Sequence, residues 1–367
     1  MRRENYKRLG EYIFPYLEKN VGLKVTLSQG INNNKYFQTP RQVAVDSEND
    51  QIVRTGQFAY NKATTRNGEK ISIAYREGPD CTVSSAYQVF YIKDEEKLNP
   101  HYLLMWFKRP DFDRYARFKS FGSAHEFFTW EEMCNVYLPI PSIEEQRKIV
   151  AEYQAVEQRI ENNNRLIKAL EDTAQAIYHH TFVENNDPEN LPEGWKWGTL
   201  ADIAECYDSK REPIAEYDRI KIKGIYPYYG ASSIMDYVND YIFDGTYLLM
   251  GEDGSVRTKE NYPVLQYVTG KIWVNNHAHV LSGINGYTTE LLYVLLARTN
   301  ISRYVTGGVQ EKINQKNMFS IPVILLPLKE LELLNSQIGP LMKKINVIKR
   351  EIVIFEKLNQ LLLSKLS

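Results

Sequence analysis

Between Pro141 and Phe182, seam positions recur in alternating steps of four and three: Ile149, Tyr153, Val156, Ile160, Asn163, Ile167, Leu170, Ala174 and Ile177. A stripe this narrow, held for about four heptads, predicts a helix that forms a coiled-coil seam rather than the broad face of a half-buried helix. At ~1.5 Å per residue, about 38 residues make a rod of roughly 57 Å. The far end of the chain repeats the pattern with Ile338, Leu341, Ile345, Ile348, Ile352, Phe355, Asn359, Leu362 and Leu366, again with a single Asn in the stripe. A lone seam Asn commonly fixes register. The two stripes are therefore expected to clasp each other, against the blander alternative of two helices each lying on its own domain.

The remaining sequence falls into two mixed α/β segments. In residues 1–141, Leu9–Leu17 is a short amphipathic stretch. Short β-type runs follow at Gln42–Asp46, Gln57–Tyr60, Ile71–Tyr75 and Ala86–Ile92, with turns rich in Asn, Gly and Pro between them. Asn99-Pro100 opens a helix through Tyr102–Phe107, Asp111–Phe118 continues helical, and Thr129 is placed to cap a short helix. Val136–Ile140 reads as a strand leading into the first rod, residues 142–182. A polar linker with Pro and Gly occupies 183–194. Residues 195–328 then repeat the order of the first segment, and 329–367 form the second rod. Leu200-Ala201-Asp202-Ile203 echoes Leu9-Gly10-Glu11-Tyr12, and Gly308–Pro327 lies 186 residues after Gly122–Pro141. Globule, Gly-containing loop, short helix, apolar strand, Pro and heptad helix recur in the same order, which marks an internal duplication.

Composition adds bounds. The chain has 367 residues and a hydrophobic fraction of 43%, enough for two buried cores. The formal charge of −1 excludes an overall basic footprint, so any nucleic-acid surface is local. Three widely spaced cysteines, Cys81, Cys134 and Cys206, form no CxxC pair and fit a reducing compartment. The polar start and the absence of a long apolar run argue against a signal peptide or a membrane span, and the expected location is the cytoplasm.

If the two rods pair antiparallel, two similar but non-identical globules are related by an approximate two-fold. Two such readers suit a linear target of two different half-sites, and double-stranded DNA with an unread spacer is the natural candidate.

The chain resembles the specificity subunits of type I restriction–modification enzymes along nearly its whole length. Pro227–Gly254 (PYYGASSIMDYVNDYIFDGTYLLMGEDG) and Lys271–Leu281 (KIWVNNHAHVL) are similar to one type of target recognition domain. Gly30-Ile31 with Ile52–Ile71 resembles another type, and Leu138–Val150 (LPIPSIEEQRKIV) is similar to the junction that opens the central conserved region. The distal junction, Ile321–Leu334, lacks the Glu-Glu-Gln. The resemblance implies two target recognition domains separated by two conserved helices, each domain reading one half of a bipartite asymmetric DNA sequence. It also implies that the helices dock two modification subunits, which bind S-adenosylmethionine and methylate adenine. Restriction subunits would carry the ATP- and Mg-dependent translocation and cleavage, leaving this chain non-catalytic and without a cofactor of its own.

Base edges call for Arg or Lys at guanine and Asn or Gln at adenine, and phosphates call for cations and small polar groups. The candidates in the first segment are Gln29, Asn32, Asn33 and Lys35, the loop residues Asn61, Lys62, Thr65, Arg66 and Asn67, and His125 in a Gly-Ser-Ala-His loop. In the second they are Tyr228, Tyr229, Ser232 and Ser233, then Arg257 and Lys259, then Lys312, which follows Gln310 and Glu311 after a Gly pair. Solvated surface loops are the plain alternative for all of these, and Tyr228 and Tyr229 serve equally well as core aromatics.

Enzymatic and metal signals in the sequence are weak. His277 and His279 alternate in an expected strand and would share a face, but no third ligand stands close in sequence, so no metal is expected. Asp80, Glu95 and Lys97 match a loose Mg-dependent nuclease pattern, although Lys93–Lys97 reads as a charged turn. GxxxxGK[ST] is absent, which excludes P-loop ATP chemistry. A coiled-coil scaffold with no DNA role is the remaining alternative.

Overall fold

The computed structural model describes residues 6–40, 47–63, 70–120, 126–184, 187 and 189–366. The expected strand Gln42–Asp46 and the candidates Thr65, Arg66, Asn67 and His125 lie outside the described residues. The chain divides into two compact units, residues 1–162 with 352–367, and residues 163–351.

The first unit contains strands β1 (Tyr6–Arg8), β2 (Ile13–Tyr16), β3 (Gly30–Ile31), β4 (Phe37–Gln38), β5 (Gln51–Val53), β6 (Phe58–Asn61), β7 (Ile73–Tyr75), β8 (Cys81–Val83), β9 (Tyr87–Ile92) and β10 (Tyr137–Pro139). Its helices are α1 (Pro100–Lys108), α2 (Pro110–Phe118), α3 (Trp130–Cys134) and the first part of α4 (Ile143–His179). The amphipathic stretch at Leu9 resolves into a 3-10 turn, Leu9–Glu11, followed by β2. An antiparallel sheet in the order β2-β9-β6-β7 carries Phe58, Tyr60 and Phe90 into an aromatic core shared with Phe107 of α1 and with Phe128. The helix starts are local chemistry. The Asn99 side chain accepts from the N–H groups of His101 and Tyr102, with Pro100 at the first helical position, and Thr129 accepts from the Glu132 N–H.

The second unit holds the rest of α4, then β11 (Lys196–Thr199), β12 (Ala204–Cys206), α5 (Glu216–Lys221), β13 (Lys223–Tyr229), β14 (Ile234–Val238), β15 (Phe243–Gly251), β16 (Leu265–Val274) and β17 (Ala278–Gly283). It continues with α6 (Thr289–Leu296), α7 (Gln315–Phe319), β18 (Pro322–Leu325) and most of α8 (Leu328–Ser364). Its six-stranded sheet runs β12-β17-β15-β16-β13-β14, with β13 and β16 parallel. Leu248, Met250 and Leu281 from this sheet bury against Leu291, Leu292, Leu295 and Leu296 of α6.

The same frame is built twice. In each unit the first strand pairs antiparallel with the last, β1 with β10 and β11 with β18. A 3-10 turn follows, whose buried leucine donates its N–H across the frame: Leu9 to the Val136 carbonyl at 2.8 Å, and Leu200 to the Ile321 carbonyl at 2.8 Å. A tyrosine hydroxyl closes the frame in both, Tyr102 to the Pro139 carbonyl at 3.0 Å and Tyr287 to the Ile324 carbonyl at 3.2 Å. The sheets differ, with four strands in one frame and six in the other.

The heptad stripes face each other within each unit. In the first, Ile149, Val150 and Tyr153 of α4 share a core with Leu362, Leu363 and Leu366 at the end of the chain. In the second, Ile167, Leu170, Ala174 and Ile177 meet Ile338, Leu341, Met342 and Ile345. Early residues of α4 thus meet late residues of α8 and later ones meet earlier ones, which is antiparallel pairing. Val156, Ile160, Ile352 and Phe355 are only half-buried, while Ile348 is buried. The seam Asn163 donates to the Glu351 carboxylate at 3.0 Å, whereas the buried Oδ1 of the other seam asparagine, Asn359, takes no partner among the described residues. Among the described residues no helix is long and apolar enough to cross a membrane.

Candidate nucleic-acid interface

In the first unit the β3–β4 turn carries Asn32, Asn33 and Lys35. Lys35 adopts φ 67° and turns inward. It is 4% exposed, donating to an Asp113 carboxylate oxygen at 2.6 Å and to the Phe107 carbonyl at 2.5 Å. Burial drives its ammonium below the ordinary lysine range, and Asp113 works against that. Lys35 is therefore a buried structural cation, and its assignment to DNA is corrected. We expect Lys35→Ala to destabilise the unit by about 3–5 kcal/mol, because it strands Asp113 in the interior. Pairing Lys35→Met with Asp113→Leu should recover most of the loss. Urea denaturation of the three proteins checks this; unchanged stability in Lys35→Ala would return the residue to the surface list.

The neighbouring candidates remain near the surface but hold the loops. Asn32 closes its own turn, accepting from the Tyr36 N–H and donating to Gln38. Asn33 is exposed and accepts from the Ser72 hydroxyl, and Gln29 accepts from Arg76. Asn61 and Lys62 are half-buried at the end of β6, with the Asn61 side chain accepting from the Ala63 N–H. The turn rims a cleft of about 500 Å³, whose walls include Lys70, Lys108, Tyr153 and Glu356.

In the second unit, Ser232 and Ser233 stand exposed at the β13–β14 turn. Tyr228, one step before that turn, is 1% exposed, and its hydroxyl accepts from the Ile214 N–H at 2.9 Å. Tyr229 is half-buried among Phe243, Tyr247 and Val274, and burial pushes its phenol up to about 12. Tyr228 is a core aromatic, which corrects its assignment; Tyr229, on the opposite face of β13, packs half-buried against the other side of the sheet. Arg257 is also corrected to a brace, since Nε and Nη2 hold the Glu311 carboxylate at 2.9 and 2.5 Å and Nη1 reaches Asn261. Lys259 is exposed. Lys312 is half exposed and pairs with Glu252 at 3.2 Å.

The two histidines do not share a face. His277 sits in the turn before β17, against Asp253, while His279 is buried within the strand. The fold also supplies what the local sequence lacked, because Cys206 and Asp208 come within ligand range of His279. The donor set does not suit a cation as it stands. The His279 ring nitrogens already face Asp208 at 2.5 Å and the Ile313 carbonyl at 2.9 Å. Arg211 lies 3.2 Å from the same carboxylate, Gln315 donates to it at 2.8 Å, and burial pushes the Cys206 thiol up to about 12. This is a structural network joining β12, β17 and α7, and sequence inspection missed it because its members lie up to 109 residues apart.

Burial works to raise the Asp208 carboxyl, but the His279, Gln315 and Val280 hydrogen bonds prevail and bring it down to about 2. That lies below the ~3.9 of an unfolded aspartate. Its contribution, on the order of 2 kcal/mol, is present above about pH 4 and is lost as pH falls toward 2. Asp208→Asn should remove this part of the acid dependence, measured as unfolding free energy against pH; an unchanged acid limb would refute it.

The nuclease alternative finds no support. Arg54 holds the Asp80 carboxylate at 2.6 Å, and the Thr55 N–H adds a further bond at 3.0 Å. Lys97 pairs with Asp94, and Glu95 is exposed on the turn. The acid is already neutralised by Arg54 and Thr55 rather than set out for a metal.

One frame repeated with two unlike loop surfaces defines a duplicated α/β protein with two separate candidate faces. A family model described as the type I restriction modification DNA specificity domain matches it twice, over residues 10–172 and 192–361. The chain belongs to that family. A Haemophilus influenzae protein provisionally named type I restriction enzyme specificity subunit S.HindORF215P is 34% identical over 142 residues, 38% of this chain and 36% of that protein. The match thus spans about a third of that relative's length. The type I restriction enzyme MjaIX specificity subunit of Methanocaldococcus jannaschii is 23% identical over 296 residues, 72% of this chain and 67% of that one. Among solved structures, the type I restriction–modification S subunit from M. genitalium aligns with a TM-score of 0.60 at 14% identity, covering 100% of this chain and 98% of that one. That likeness is one of fold.

Proposed function

We propose that this chain is the DNA-recognition subunit of a type I restriction–modification enzyme, and that each unit reads one half of a bipartite asymmetric target. The observation that carries the reading is the repeated frame. Equivalent scaffolding hydrogen bonds recur in both units, while the sheets and loop sequences mounted on them differ. Selection for stability alone gives no reason for two unlike polar surfaces on one scaffold; two different half-sites do.

The long helices serve as the spacer. Helix α4 is one uninterrupted helix of 37 residues, and α8 matches it at 37. Away from its seam α8 leaves Ile354 64% exposed, with Val353, Leu358 and Leu361 also exposed. An apolar face of this kind suits burial by a partner, and we assign it to the modification subunits, two per complex. S-adenosylmethionine would bind to those subunits, and ATP and Mg²⁺ to the restriction subunits. The chain itself contributes no catalytic group and acts on DNA in the cytoplasm. Methylome sequencing of the host with and without this protein tests the proposal. The expected result is loss of one split, asymmetric adenine motif, and an identical methylome in both would overturn it.

A further inference from the structure

Resting on that reading, we propose that the loop Thr306–Lys312 of the second unit reads an A·T base pair in the major groove. Gln310 hydrogen-bonds the adenine edge, and Val309 packs on the thymine 5-methyl group.

The loop is a closed finger. The Thr306 N–H donates to the Lys312 carbonyl at 2.8 Å and the Lys312 N–H returns to the Thr306 carbonyl at 2.7 Å. Gly307 has φ 92°, and a Cβ there would fall 2.2 Å from the Gln310 carbonyl oxygen, so a side chain at this position would break the turn. Gly308 has open space on its Cβ side. The finger is anchored below its tip. The Gly254 N–H donates to the Glu311 carbonyl, the Ile313 N–H donates to the Glu252 carbonyl, and Arg257 draws in the Glu311 carboxylate.

What remains at the tip is chemically narrow. Val309 is 107% exposed, leaving its isopropyl group wholly in water, an unfavourable state unless something covers it. Gln310 beside it is exposed, and among the described residues its amide takes no partner. The loop's own carboxylate, Glu311, which phosphates would repel, is withdrawn to Arg257. An amide next to an apolar group matches the donor–acceptor pair of adenine beside the methyl of thymine, and the Gly pair lets the backbone approach closely. A protein partner fits poorly, because one valine and one glutamine on a finger fall far short of the ~800 Å² per side of a stable interface.

The test uses the chain assembled with its modification subunits and duplexes that carry the motif found by methylome sequencing. Thymines in the half-site read by the second unit are replaced one at a time by deoxyuridine, which removes only the methyl group. At one position the wild-type complex should bind about fourfold more weakly, and Val309→Ala should abolish that sensitivity. At the paired adenine, 7-deazaadenine should weaken wild type roughly tenfold and Gln310→Ala little further. Both side chains are exposed, so thermal unfolding of the variants should match wild type. If no thymine is methyl-sensitive, or if Val309→Ala keeps the full sensitivity, the assignment is overturned while the recognition role stands. If the wild-type complex shows no sequence-selective binding at all, the recognition role itself falls.

Discussion

Exchanging residues 1–141 for the corresponding segment of a relative with another DNA preference should rewrite one half of the methylated motif and leave the other half unchanged. The first frame, its sheet and its β3–β4 turn are built wholly within that segment, and the closing bonds from Leu9 to Val136 and from Tyr102 to Pro139 are internal to it. The second unit takes no strand from it. Each mismatched base pair costs about 1–3 kcal/mol. Two altered positions therefore reduce methylation at the old motif by roughly 30- to 10⁴-fold. The exchange has one structural condition. Leu363 and Leu366, from the end of the chain, complete the core of the first unit beside Val150 and Tyr153. The incoming segment must still present an apolar surface to them. Methylome sequencing of the exchanged protein is the measurement, and a change in both halves would show that the units do not read independently.

The second large effect is expected in the seam. Ile345 is 0% exposed and packs in a core with Ala174, Ile338 and Met342. Ile345→Asp removes a buried apolar side chain and puts a carboxylate among hydrocarbons. The lost packing and the desolvated charge together cost upwards of about 4 kcal/mol. Against a typical domain stability of about 5–15 kcal/mol, that leaves the unit marginal or unfolded. Ile160→Asp, at a half-buried position of the α4 stripe, should cost clearly less, because water still reaches the new carboxylate. Ile345→Val, which loses one methylene, should cost about 1 kcal/mol. Urea denaturation of the three variants gives the ranking. An Ile345→Asp protein within about 1 kcal/mol of wild type would show that the stripe is not a core at all.

The contrast between Ile160 and Ile345 shows how far periodicity reaches. Heptad spacing identified the stripe, but not which of its positions a globular sheet and helix would also cover. The same limit separates Thr129 from Lys35. Thr129 caps α3 through an N–H three residues away, a contact that residue type and spacing announce. Lys35 is neutralised by Asp113, 78 residues on, and in isolation its Asn-rich turn reads as a ligand loop. Arg257 is a case of the same kind, since its partner Glu311 lies 54 residues away. Local pattern leaves Tyr228 open between surface and core because a pleated strand presents alternate residues to opposite sides, and only the position of its neighbours says which side is covered.

By itself the sequence determined what depends on near neighbours along the chain: two long heptad helices with an Asn in each seam, the capped starts of α1 and α3, and the order of elements repeated in both halves. Those signals arise from backbone geometry and short-range hydrogen bonding, which operate over a few residues. The tertiary structure alone decided which polar side chains face outward. It buried Lys35, joined His279 to Asp208 and Cys206, and left Val309 and Gln310 at the tip of a closed finger. Burial and charge pairing are set by groups brought together from distant parts of the chain, and no local pattern encodes that distance.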